Sequence, residues 1–149
     1  MILATDTISY FTTMVAIMRA GHIAFPVSPR NSPEAVAHLL SKVGVTHILV
    51  GSDALTQSTM RKALNLMSNN IPTTSSMFTF DELYVKQTEE IKHEEPLTYA
   101  KQSLESSAVI LHSSGSTAFP KPILWTHYQL LQLAVSLCKI FFFSFFFLP

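Results

Sequence analysis

Apolar helical faces alternate with short β-branched segments in this chain, and the alternation restricts the fold more than any other feature. Ser32 followed by Pro33 is typical of a helix start, because the hydroxyl caps the first turn and proline lacks only an N–H that would have no partner there. Gly44 is a typical helix end. Between them, apolar residues recur at helical spacing: Val36, Leu39, Leu40 and Val43. Residues 46–50 (THILV) then predict a buried strand.

The same succession is found on both sides of this unit. A helix is expected between Asp6 and Gly21, with an apolar face made of Ile8, Phe11, Val15 and Met18. Further helices are expected over residues 55–67, 81–84 and 127–137, and further strands over 1–4, 23–27, 108–111 and 123–125. Strands that alternate with helices predict an α/β fold, in which helices cover a partial, doubly wound parallel sheet.

Composition excludes several classes of protein. Ten Lys and Arg balance ten Asp and Glu, so the net charge is zero and no nucleic-acid partner is expected. Charged residues are 13% of the chain, against about 25% in soluble domains, while 48% are hydrophobic, which argues against disorder. The single cysteine, Cys138, excludes an internal disulfide, and no metal site is expected. A cytoplasmic location follows as an expectation.

The segment after the strand at 108–111 holds the densest group of polar side chains. Ser113, Ser114, Gly115, Ser116, Thr117 and Lys121 lie within nine residues. Hydroxyls and turn N–H groups donate to phosphate oxygens, glycine permits a close backbone approach, and lysine adds a positive charge. The common P-loop pattern is absent, since the second glycine and the residue after lysine do not match it. Composition alone leaves two interpretations open: a phosphate loop, or a polar turn between two strands.

Two blocks carry a resemblance to a known family. The segment 113–122 (SSGSTAFPKP) resembles the phosphate-loop signature of the AMP-forming adenylating enzymes, which include acyl-CoA synthetases, luciferases and nonribosomal peptide synthetase adenylation domains. Residues 17–50 are similar to a segment of that family that contains a Lys-Ala-Gly motif. In this chain the motif is Arg-Ala-Gly, at residues 19–21. The amino-acid sequence of the two blocks is most similar to that of fungal enzymes that resemble nonribosomal peptide synthetases. These enzymes join an adenylation domain to a carrier domain and often a reductase. The chain would be part of the larger amino-terminal subdomain.

The resemblance implies a reaction and a set of ligands. The loop residues named above, Ser113 to Thr117 and Lys121, would hold the β- and γ-phosphates of ATP, with Mg²⁺, while a carboxylic acid attacks the α-phosphate. A carrier domain or CoA would accept the acyl group. Ala118 stands where the family pattern has glycine, which would cost about 1 kcal/mol if the position needs a positive φ.

The family's adenine-flanking, ribose-binding and late catalytic residues lie downstream of this loop, so no catalytic residue is assigned here. We therefore expect that the chain alone does not adenylate a substrate and has little to bind ATP with. Two histidines that flank the loop, His112 and His127, remain candidates for a functional role beside a structural one. The other histidines are scattered without metal-ligand spacing.

Residues 138–149 differ from the rest of the chain, because six of the 11 phenylalanines fall in the last nine residues. We therefore divide the chain into a partial adenylation domain, residues 1–137, and a Phe-rich tail, 138–149. As a helix, residues 130–148 would span about 28 Å, so a membrane-associated protein is an alternative, although Lys139 lies in the middle. The tail also fits an aggregation-prone segment, or a translated intron, since Phe, Ser, Leu and Pro all have pyrimidine-only codons.

Overall fold

A computed structural model describes residues 1–4, 6–84, 101–113 and 119–147 of the chain. Eleven elements follow one another in these ranges. The strands are β1 (Ile2–Leu3), β2 (Pro26–Val27), β3 (His47–Val50), β4 (Thr73–Ser76), β5 (Ser107–His112) and β6 (Pro122–Thr126). The helices are α1 (Thr7–Arg19), α2 (Pro33–Val43), α3 (Ala54–Asn65), α4 (Phe80–Tyr84) and α5 (His127–Phe147).

Four of the strands form a parallel sheet in the order β2-β1-β3-β4. Helices cover both faces, because successive side chains of a strand point to opposite sides. Leu3, Ile48 and Val50 pack on the side of α2 and α3, whereas Ile2 and Leu49 pack on the side of α1. The prediction of a partial doubly wound α/β fold is confirmed.

The ends of α2 form as the sequence predicts. The Ser32 hydroxyl accepts a hydrogen bond from the N–H of Ala35 at 3.3 Å, and Gly44 ends the helix with a φ of 68°. Asp6 caps α1 by accepting from the N–H of Ile8 at 3.2 Å. Asp53 caps α3 in the same way, accepting from Thr56 at 2.9 Å.

The prediction of which face of α1 packs against the sheet is wrong. Ile8 and Phe11 are more than half exposed, and the residues that pack against the sheet are Tyr10, Met14 and Ile17. The apolar residues of this helix extend over about half of its circumference, so two adjacent faces satisfy the same spacing, and contact with the sheet selects one of them. Val15 and Met18 instead line a groove shared with Leu130 and Ala134 of α5.

The last two strands form an antiparallel hairpin, in which Ile110 pairs with Leu124. The parallel arrangement expected for them is therefore wrong at this point. Only nine residues separate β5 from β6, which is too few for the crossover that a parallel pair requires. The hairpin joins the parallel sheet through Ala24, whose N–H donates to Ala108 at 3.0 Å and whose carbonyl accepts from Ile110 at 2.8 Å.

The final helix, α5, is longer than the sequence predicts. It runs from His127 to Phe147 and crosses the proposed boundary between residues 137 and 138 without interruption. Within the residues that the structure describes, no helix combines the length and apolar character needed to cross a bilayer.

Candidate functional site

The parallel alignment of β5 beside residue 24 brings two loops to one edge of the sheet. Ala24 faces Val109, so the chain after β2 and the chain after β5 emerge side by side, at residues 28–31 and at Ser113. Ligands of doubly wound folds bind at this carboxyl edge of the strands. The candidate phosphate loop is therefore where such a fold places a ligand site.

Two hydrogen bonds close the base of the candidate loop. The N–H of Ser113 donates to the carbonyl of Lys121 at 3.1 Å, and the N–H of Lys121 donates to the Ser113 hydroxyl at 3.0 Å. The Lys121 side chain is exposed. Ser114, Gly115, Ser116, Thr117 and Ala118 lie outside the described residues, so their predicted role in phosphate binding stays a prediction.

His112 links this loop to its neighbour. Its Nδ1 lies 2.9 Å from the carbonyl of Ser113, and its Nε2 accepts from the N–H of Ser28 at 3.2 Å. The Asn31 amide nitrogen lies 3.3 Å from the same Nε2. The imidazole therefore contacts the first residue of one loop and two residues of the other.

The neighbouring loop is itself a hydrogen-bonded turn. The N–H of Asn31 donates to the carbonyl of Ser28 at 3.1 Å, with Pro29 following Ser28, where its fixed φ favours a turn. The Tyr10 hydroxyl on α1 donates to the carbonyl of Val27 at 3.3 Å. Burial raises the pKa of Tyr10 to about 12, because the phenolate would lose its hydration there. This turn is thus held from α1 as well as from β5.

An aromatic contact lies at the far end of the loop. The ring of Phe119 stacks on the imidazole of His38, which is on α2. The second flanking histidine, His127, lies at the opposite end of the hairpin, where its N–H donates to the carbonyl of Ser106 at 3.1 Å. The structure therefore brings His112 to the candidate site and separates His127 from it.

The partners of His112 were not predicted from the sequence. Ser28 and Asn31 carry no motif that marks them as partners of His112, and their contacts with it arise from the side-by-side packing of the chain around β2 and β5. The Ser-Pro-Arg-Asn turn directly after a predicted strand is a sequence feature from which this loop could have been identified. Among the described residues, no three His, Cys, Asp or Glu side chains form a group able to hold a metal ion.

Comparison with known proteins places this arrangement in context. A family model described as AMP-binding enzyme matches residues 1–145. An adenylate-forming reductase of Heterobasidion annosum is 41% identical over 132 residues, which are 87% of this chain and 12% of that protein. The chain thus spans about an eighth of that relative.

Solved structures match the fold. ATP-bound MatB from Rhodopseudomonas palustris superposes with a TM-score of 0.66 at 14% identity, over 93% of this chain and 27% of that one. McyG A-PCP in complex with phenylalanyl-adenylate superposes with a TM-score of 0.67 at 18% identity, over 93% of this chain and 21% of that one. With the family model covering residues 1–145 and the resemblance in both sequence blocks, the chain belongs to the AMP-binding enzyme family, whose members form acyl-adenylates.

Proposed function

We propose that this chain supplies the part of an acyl-adenylate-forming site that holds the β- and γ-phosphates of ATP, on the loop from Ser113 to Lys121. The observation that carries the proposal is the closed base of this loop. Two hydrogen bonds join Ser113 to Lys121 at the carboxyl edge of the parallel sheet, and the lysine side chain is exposed there. An exposed ammonium beside a chain of hydroxyls and N–H groups suits a polyphosphate.

In the proposed reaction, a carboxylate oxygen of the substrate attacks the α-phosphorus of ATP. A bond forms between that oxygen and phosphorus, the bond from phosphorus to the oxygen that bridges the α- and β-phosphates breaks, and pyrophosphate leaves. Mg²⁺ on the phosphates of ATP would supply further positive charge. Lys121 and the hydroxyls of Ser114, Ser116 and Thr117 would balance charge on the leaving pyrophosphate. A carrier-domain thiol or CoA would then take the acyl group.

This chain by itself is proposed to position phosphate without completing the reaction. It spans about 12% of the adenylate-forming reductase that it resembles, and the groups expected to hold adenine and ribose are not among its assigned residues. We therefore expect Mg²⁺–pyrophosphate and Mg²⁺–ATP to bind weakly and with similar affinity, because both would use the same loop.

Calorimetric titration of the purified chain with each ligand tests the proposal. K121A is expected to weaken both ligands, whereas K42A removes the same charge from the last turn of α2, at the opposite edge of the sheet, and serves as the matched control. Equal binding by K121A and the unaltered chain would contradict the role of the loop. Carboxylate-dependent exchange of pyrophosphate into ATP by the chain alone would contradict its incompleteness.

A further inference from the structure

We propose that His112 is a positioning residue, which holds the start of the 113–121 loop against the turn at residues 28–31 through a fixed neutral tautomer. The imidazole lies between two backbone groups of opposite character. On one side is the N–H of Ser28, which only donates, and on the other is the carbonyl of Ser113, which only accepts. The ring bridges two segments that are 84 residues apart along the chain.

The partners determine which nitrogen carries the proton. Because the Ser28 N–H donates to Nε2 at 3.2 Å, Nε2 presents its lone pair and carries no hydrogen. The Asn31 amide, 3.3 Å away, is a second donor to the same atom. Nδ1 therefore carries the proton and donates it to the Ser113 carbonyl at 2.9 Å. The hydrogen-bond partners of the two ring nitrogens therefore select this tautomer.

The Ser113 carbonyl and the Ser113 hydroxyl belong to the residue that closes the loop. While His112 holds the carbonyl, the Ser113 N–H and hydroxyl pair with Lys121 at 3.1 and 3.0 Å. The bond from His112 therefore fixes the peptide unit from which the loop begins, and the bond to Ser28 fixes His112. Both bonds are needed, since either alone leaves the ring attached to only one of the two segments.

The two bonds can be separated by substitution. The amide nitrogen of asparagine is two bonds from Cβ, as Nδ1 is, so H112N retains the donor to Ser113 and removes the contact with Ser28. The amide of glutamine is three bonds from Cβ, as Nε2 is, so H112Q retains an acceptor for Ser28 and removes the donor to Ser113. H112F keeps a planar ring and removes both bonds.

Two measurements on the full chain test the proposal. Nitrogen-15 NMR of the imidazoles, assigned by the signal missing in H112Q, is expected to show a protonated Nδ1 and an unprotonated Nε2 at His112. Hydrogen exchange is expected to accelerate about three- to tenfold, the effect of one lost hydrogen bond, at the Ser28 amide in H112N and H112F but not in H112Q. The Lys121 amide is expected to accelerate in all three variants.

A control variant completes the test. His47 also bonds a neighbouring strand, through Thr73 Oγ1 at 2.7 Å, but at the amino edge of the sheet, so H47Q should leave both amides unchanged. An Nε2–H tautomer in the unaltered chain, or an unchanged Lys121 amide in H112F, would overturn the proposal. If a variant does not fold, the tautomer of the unaltered chain decides the outcome.

The consequence for ligand binding rests on the proposed function. H112F should weaken Mg²⁺–pyrophosphate binding together with the Lys121 amide protection. If the unaltered chain binds no pyrophosphate, the proposed function fails, while the tautomer and exchange measurements still judge the positioning role.

Discussion

The imidazole of His38 stacks on the ring of Phe119, with ring centroids 5.0 Å apart and planes inclined by 16°. His38 lies on α2, which begins directly after the turn that His112 contacts. The candidate loop is therefore held at both ends by one continuous segment, residues 28–43: His112 ties its first residue to the turn, and Phe119 packs on the helix that follows.

We expect His38 and Phe119 to be energetically coupled. A double-mutant cycle with H38A and F119A should give a coupling free energy of about 0.5–1.5 kcal/mol, the range for stacked aromatic pairs. Urea denaturation of the four proteins provides the measurement. H38A combined with F78A is the control, since Phe78 is exposed after β4, at the far edge of the sheet, and these two effects should add. Additive effects of H38A and F119A would contradict the coupling.

Thr56 offers a route to higher stability. This residue of α3 is 1% exposed, and its hydroxyl has no hydrogen-bond partner among the described residues. Burying a hydroxyl without a partner is unfavourable, so T56V should raise the free energy of unfolding by about 1 kcal/mol. Chemical denaturation measures the change. T56S keeps the hydroxyl and loses a methyl group, so it should destabilise the chain; stabilisation by T56S or destabilisation by T56V would contradict this account.

Tyr10 should make stability depend on pH in the alkaline range. Burial raises its pKa from 10 to about 12 in the folded chain, so the unfolded chain loses this proton first as the pH rises. The stabilising contribution of Tyr10 to the free energy of unfolding is therefore complete below pH 10 and is lost as the pH rises from 10 to 12. Titration followed by the ultraviolet absorbance of tyrosinate should show one more ionising phenol in the unaltered chain than in Y10F. The ionisation of that phenol should have its midpoint near pH 12. A difference with a midpoint near 10 would contradict the burial of this hydroxyl.

Gly44 should resist replacement by alanine for a purely conformational reason. Its φ is 68°, and a Cβ built there would meet nothing within 4 Å. G44A should therefore lower the free energy of unfolding by about 1 kcal/mol through backbone strain alone. Asparagine tolerates this conformation better, so G44N should cost less in thermal denaturation. Equal losses for the two variants would indicate a packing effect instead.

Local chemistry made the helix ends and the parallel sheet predictable. Ser32 and Gly44 act through contacts within a few residues, so their roles follow from the sequence around them. The packed face of α1 did not follow, because Tyr10 and Phe11 are neighbours in an apolar helix and only contact with the sheet distinguishes them. The antiparallel pairing of β5 with β6 follows from the length of their connection, which the expectation of a parallel sheet overlooked.

The candidate site was predictable only in part. The loop from Ser113 to Lys121 was identified from its residues, and its two described ends are joined by hydrogen bonds next to the carboxyl end of β5. The anchoring of His112 was not predictable, because its partner Ser28 is 84 residues away and is brought near by strand order. Phosphate binding by this loop, the cytoplasmic location and the boundary after residue 137 stay predictions.

The junction at Ala24, where the hairpin of β5 and β6 meets the parallel sheet, has a consequence for local unfolding of this protein. Only the two hydrogen bonds of one residue, at 3.0 and 2.8 Å, join the hairpin of β5 and β6 to the backbone of the other strands within the described residues. Separating the hairpin there breaks far fewer backbone hydrogen bonds than melting the four-stranded sheet, so we expect the hairpin to open as a unit at a lower free energy than the sheet. The two strands that carry the loop, β5 and β6, would then separate together from the four-stranded sheet, while that sheet keeps its structure.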